Sequence, residues 1–86
     1  MLIEILGSGC PKCFETERRA RQAVRLAGIT ADVVHVTDVR TMAQRGVMRT
    51  PAVAVDGVVK LAGSVPAVPD LVTLLITCVA ASEPQG

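Results

Sequence analysis

Aromatic side chains are almost missing from this sequence. It has no tryptophan and no tyrosine, and Phe14 is its single phenylalanine. A chain this poor in rings has no platform for stacking bases, which excludes the usual kind of single-stranded nucleic-acid binder. A large charge of one sign is missing too: the net charge is +1, too balanced for a surface built to neutralise a run of phosphates. No apolar stretch approaches the roughly 20 residues that cross a bilayer. Met1 to Leu6 is too short for a secretion signal and has neither a basic start nor a cleavage site. The three cysteines are too few, and odd in number, for a secreted disulfide framework. The sequence therefore reads as cytoplasmic, with no nucleic-acid or membrane partner. In a reducing compartment a close cysteine pair is a functional group rather than a staple.

What is present is a single domain's worth of chain. Of the 86 residues, 50 % are hydrophobic, which suffices for one thin core and leaves no room for a second. The domain is expected over residues 1–81, with the polar stretch 82–86 as a disordered tail. Charge is unevenly spread: residues 11–28 hold Lys12, Arg18, Arg19, Arg21 and Arg25 against Glu15 and Glu17 alone. At helical spacing that reads as a solvated face.

Periodicity and punctuation divide the chain into seven elements. Met1 to Leu6 reads as a strand, with Ile3 and Ile5 on one face and Leu2, Glu4 and Leu6 on the other. A helix follows over Pro11 to Ala27, its small inward stripe formed by Thr16, Ala20, Ala23, Val24 and Ala27, and Gly28 ends it. Ala31 to Val36 is a valine-rich second strand. Thr37 or Asp38 caps a short helix over Val39 to Arg45, which Gly46 ends. Strand three, Ala52 to Val55, turns through Asp56-Gly57, a strong hairpin signal, into strand four, Val58 to Ala62. An apolar helix over Pro69 to Ala80 closes the domain. The order β-α-β-α-β-β-α places the first two strands parallel through a right-handed crossover. It implies an α/β fold with a mixed four-stranded sheet in the order 2-1-3-4 and helices on both faces.

The chemistry concentrates in Gly7-Ser8-Gly9-Cys10-Pro11-Lys12-Cys13, between the first strand and the first helix. Two cysteines three apart at a helix start share one face, so their sulfurs can meet. Pro11 suits the first turn. The free N–H groups and the positive dipole end there favour a thiolate at Cys10, and Lys12 adds a cation nearby. Cys10 is thus the expected nucleophile and Cys13, packed one turn down, the expected resolving thiol. Gly7 and Gly9 keep the approach open and admit another backbone. The same two sulfurs could instead hold a soft metal such as copper, zinc or a metalloid. A four-ligand zinc site would need two further ligands, and only His35 and Cys78 remain, without partner spacing. A third reading is an interaction module whose cysteine pair only senses redox state.

With these elements laid out, the chain resembles the thioredoxin-like superfamily, in particular the small redox-active disulfide proteins of archaea and bacteria, which look like a thioredoxin trimmed of its first strand and helix. The resemblance covers about residues 1–80. It rests on Gly-x-Gly-Cys-Pro-Lys-Cys after strand one, Thr50-Pro51 opening strand three, and Asp56-Gly57 followed by Gly63 before the last helix. It implies a three-layer α/β/α fold. It also implies a cis-proline at Pro51 facing the cysteine pair, and substrate contact by the backbone of Thr50 with Gly63 beside it. The activity it implies is thiol–disulfide exchange on a disulfide-containing protein or small disulfide. That activity needs no bound cofactor or metal; electrons come from a reductase or a glutathione-like thiol. The sequence departs from full thioredoxins in having Gly9, not tryptophan, before the first cysteine. Its Pro11-Lys12 pair is closer to glutaredoxins, but Ser64 and Val65 follow Gly63 in place of their glutathione signature.

Three further side chains have two readings each. Glu4 lies six residues before Cys10, the offset of the buried acid that relays the resolving proton in thioredoxins; the ordinary reading, an exposed strand residue on a thinly covered face, is preferred. His35 reads as a surface residue away from the motif. Cys78, on the apolar face of the last helix, reads as a small hydrophobe.

Overall fold

The computed structural model of the chain describes residues 1–82. It contains β1 (Leu2–Leu6), α1 (Pro11–Ala27), β2 (Asp32–Val36), α2 (Val39–Gln44), β3 (Ala52–Val55), β4 (Val58–Ala62) and α3 (Val68–Ser82). Element order, type and bounds agree with the sequence reading to within one or two residues. Of the tail read at 82–86, Ser82 still belongs to α3, and residues 83–86 lie outside the described residues.

The local chemistry explains each boundary. Pro11 opens α1. Gly28, at φ 67°, closes it by donating its N–H to the Arg25 carbonyl, with Ile29 donating to Val24. Asp38 caps α2, its carboxylate accepting from the Arg40 N–H at 2.9 Å. Asp56 and Gly57 both take positive φ, 49° and 86°, as a tight hairpin with the native twist requires.

The sheet runs β2-β1-β3-β4, the order expected. β1 pairs parallel with β2 and antiparallel with β3, and β3 pairs antiparallel with β4. Alternation along the strands divides the core in two. Ile3, Ile5, Val53 and Val55 face α1 and α3, where Ala20, Ala23, Leu71 and Leu75 complete a buried cluster. Small residues on α1 let the helix lie close to the sheet. On the opposite face Leu6, Ala52 and Ala54 pack under Met42 of α2. Two long helices thus cover one face and one short helix covers part of the other, a three-layer α/β/α arrangement. Cys78 packs against the larger cluster as a partly buried apolar group.

Two side chains contradict the sequence reading. Glu4 is not exposed: it is 6 % accessible. α2 lies over its end of the sheet and brings Arg45 down to form an ion pair with it. His35 is not a surface residue either, its side chain being 13 % accessible. The register sets it opposite Ile5, on the face that α1 covers, so Val34 takes the thinly covered face instead and stays 41 % exposed. Polarity pointed the wrong way on β2 because sidedness there follows from pairing with β1.

Candidate active site

The motif sits at the carboxyl end of β1, where the chain rises from the sheet and turns into α1. Gly7 anchors this turn by donating its N–H to the Val36 carbonyl at 3.0 Å. Gly9 follows at φ 89°, a conformation side chains disfavour. Cys10 is the N-cap of α1 in extended conformation. Its carbonyl accepts from the N–H groups of Cys13 at 2.9 Å and Phe14 at 3.1 Å. The first turn holds no acidic residue, so nothing opposes the positive end of the helix dipole at the sulfur.

The two sulfurs lie 2.9 Å apart as free thiols. Their surroundings differ sharply. Cys10 is partly open, whereas Cys13 is fully buried. A hydrogen bond from the Cys13 thiol, joined by the backbone N–H groups of Cys13 and Lys12, holds the Cys10 thiol below its ordinary range. Burial pushes the Cys13 thiol up, and the bond to Cys10 and the charge there push the same way. The site therefore supports one thiolate, on Cys10, hydrogen-bonded to one thiol, on Cys13. Lys12 acts here through its backbone N–H, and its side chain lies exposed on the first turn.

Gly7 has a sharper role than keeping the approach open. A Cβ built on it would stand 2.1 Å from the Cys13 sulfur and 3.8 Å from the Thr50 Cβ. The buried sulfur occupies the volume a side chain would need, and Thr50 closes the same space from the next segment. Thr50 is exposed and Pro51 is buried, and the peptide between them is cis. Gly63, at φ 89°, donates its N–H to the Pro51 carbonyl at 2.9 Å. Cys10, Pro11, Lys12, Cys13, Thr50, Pro51 and Gly63 thus gather at one end of the molecule. Glu4 accepts a hydrogen bond from Arg45 rather than from a thiol.

Sequence reasoning placed His35 away from this site and passed over Arg49. His35 sets its Nδ1 3.1 Å from a Glu17 carboxylate oxygen and its ring edge-to-face with Phe14, centroids 5.3 Å apart. Its Nε2 is buried without a partner. Phe14, next to Cys13, remains 58 % exposed. Arg49 lays its side chain across Gly63 (the Arg49 Cδ and Cβ stand 3.1 and 3.2 Å from where a Gly63 Cβ would be). No local pattern in the sequence signals either contact. Among the described residues no group of three His, Cys, Asp or Glu side chains could hold a metal ion.

Residues 1–76 match a family described as "Thioredoxin domain". A protein named thioredoxin from Methanocaldococcus jannaschii is 42 % identical over 71 residues, which cover 83 % of this chain and 81 % of that one. Another of the same name, from Methanothermobacter thermautotrophicus, is 37 % identical over 65 residues, covering 76 % of this chain and 84 % of that one.

Proposed function

Because this chain belongs to the thioredoxin family and is a thiol–disulfide oxidoreductase, we propose that it works by dithiol exchange through Cys10 and Cys13. The observation that carries this is the asymmetry of the pair: sulfurs 2.9 Å apart, one open with its pKa lowered and one buried with its pKa raised.

The Cys10 thiolate attacks one sulfur of a substrate disulfide. A Cys10–substrate disulfide forms, the substrate S–S bond breaks, and the expelled thiolate takes up a proton. Cys13 then releases its proton and attacks the Cys10 sulfur. The mixed disulfide breaks, the second substrate thiolate leaves, and the Cys10–Cys13 disulfide remains. Two electrons have passed from the protein's dithiol to the substrate, which becomes two thiols. The arrangement suits this order, since the buried thiol stays protonated until the mixed disulfide removes the thiolate beside it.

Thr50 and Pro51 hold the substrate chain over the sulfurs with Gly63 behind them, and the exposed Phe14 and Met48 offer apolar contact. The Cys13 thiol, with the backbone N–H groups of Cys13 and Lys12, sets the thiolate fraction, and Pro11 opens the turn that presents them. We assign Glu4 to its ion pair with Arg45 rather than to the proton relay. The partners are a disulfide-containing protein or small disulfide and, to restore the dithiol, a reductase or a small thiol. No helix among the described residues is long and apolar enough to cross a membrane, in keeping with a cytoplasmic setting.

The test is thiol labelling across a dithiothreitol redox series, with Cys10→Ser as control, followed by turnover of a disulfide peptide. A reversible two-electron transition that vanishes in the control, together with turnover, is the expected outcome. One-to-one uptake of copper(I) or zinc by the reduced protein without any intramolecular disulfide would replace this reading with that of a metal carrier. Redox cycling without turnover would replace it with that of a sensor.

A further inference from the structure

Arg49 is a cation that the fold lays beside the loop at Gly63. Its Cβ, Cγ and Cδ all lie within 3.8 Å of the position a Gly63 Cβ would take. Gly63 in turn donates its N–H to the Pro51 carbonyl. Thr50, the next residue, shares with the Cys13 sulfur the space over Gly7. Arg49 is therefore the chain neighbour of the residue that borders Gly7 together with the buried sulfur, and its side chain lies over Gly63. The aliphatic stem of Arg49 is seated while the residue as a whole stays exposed, so part of the entropy of ordering a long side chain is already lost before any partner arrives.

The guanidinium has no partner among the described residues, and the acids of β1 and α1 are engaged with other side chains. Glu15, the acid nearest the motif in sequence, is held by Arg18 and Arg19. Glu4 is held by Arg45, and Glu17 by Arg21 and His35. Lys12, exposed between the two cysteines, is a second unpaired cation at the same end. A fork of donors fixed at its base and free at its tip is suited to a carboxylate.

We propose that Arg49 is a specificity-determining residue that selects disulfides flanked by a carboxylate, gripping an acidic group next to the cysteine under attack. This rests on the oxidoreductase reading and names the substrate chemistry that reading leaves open. The carboxylate could belong to an acidic protein segment or to a small acidic disulfide, and the two are separable.

The experiment compares reduction of three disulfide-linked peptides, identical except for Glu, Gln or Lys on both sides of the reactive cysteine, with glutathione disulfide as a fourth substrate. Rates are read for the wild type, Arg49→Gln and Arg49→Glu at low and high ionic strength. The Glu peptide should react about fivefold faster than the Lys peptide. Arg49→Gln should remove most of that ratio, Arg49→Glu should reverse it, and salt should compress it. Dependence on Arg49 in the peptides places the carboxylate in a protein, and dependence confined to glutathione disulfide places it in a small thiol. Equal rates for the Glu and Lys peptides with no Arg49 effect on glutathione disulfide, or a preference that survives Arg49→Glu, overturns the proposal and leaves the oxidoreductase standing. If the wild type reduces none of the four, it is the oxidoreductase reading that fails.

Discussion

The Cys10 sulfur owes its lowered pKa first to the Cys13 thiol and only then to backbone N–H groups. Labelling of Cys10 by iodoacetamide should therefore show a pH midpoint below the ordinary thiol value of about 8.5. Cys13→Ala deletes the leading donor to the thiolate, so the midpoint should move up; stopped-flow alkylation across a pH series checks both. Gly7 makes a second prediction at this scale. A methyl placed 2.1 Å from the Cys13 sulfur must push that sulfur or the turn aside. Overpacking of this kind costs on the order of 1–3 kcal/mol, so Gly7→Ala should lower the urea midpoint and slow closure of the Cys10–Cys13 disulfide. If stability falls while closure keeps its rate, the glycine serves packing alone.

At the scale of elements, α2 is joined to β1 by the ion pair between Arg45 and the buried Glu4. Breaking such a pair from one side strands a charge, whereas replacing both partners by apolar groups can be neutral. Arg45→Met should lower the thermal midpoint more than the double substitution of Glu4→Leu with Arg45→Met, and a double-mutant cycle by calorimetry reads the difference. The β2 edge of the sheet is joined to α1 by His35, Glu17 and Phe14. Here one polar atom, Nε2, is already without a partner, so an apolar side chain of similar bulk gives up less than burial alone suggests. His35→Leu should stay within about 1 kcal/mol of the wild type in chemical denaturation, given one hydrogen bond lost and one orphaned group removed.

For the whole molecule, the sheet order puts β1 and β3 inside and leaves β2 and β4 as edges. The buried clusters centre on the two inner strands. Native-state hydrogen exchange should therefore be slowest in β1 and β3 and faster in the outer strands. The candidate site lies where the inner strands end, with the cysteine turn leaving β1 and the Thr50–Pro51 turn entering β3, so the sulfurs rest on the two strands that carry the buried clusters.

Much of this was determined by sequence alone, because it depends on local chemistry. Gly28, Asp38, Asp56-Gly57 and Gly46 punctuate the chain through backbone preferences that need no neighbours. The alternation of Ile3 and Ile5 and the small stripe of α1 then leave few ways to stack the pieces, so the sheet order followed. The pairing of Cys10 with Cys13 was equally legible, since three residues of helix bring them together. Only the tertiary structure decided the rest, because those features depend on which segments distant in sequence lie side by side. Glu4 is buried because α2 returns over it from forty-one residues away. His35 points inward because its register with Ile5 puts it under α1. Arg49 reaches Gly63 because the hairpin folds β4 back beside the turn that opens β3. Charge, polarity and spacing carry no record of such meetings until the chain has closed on itself.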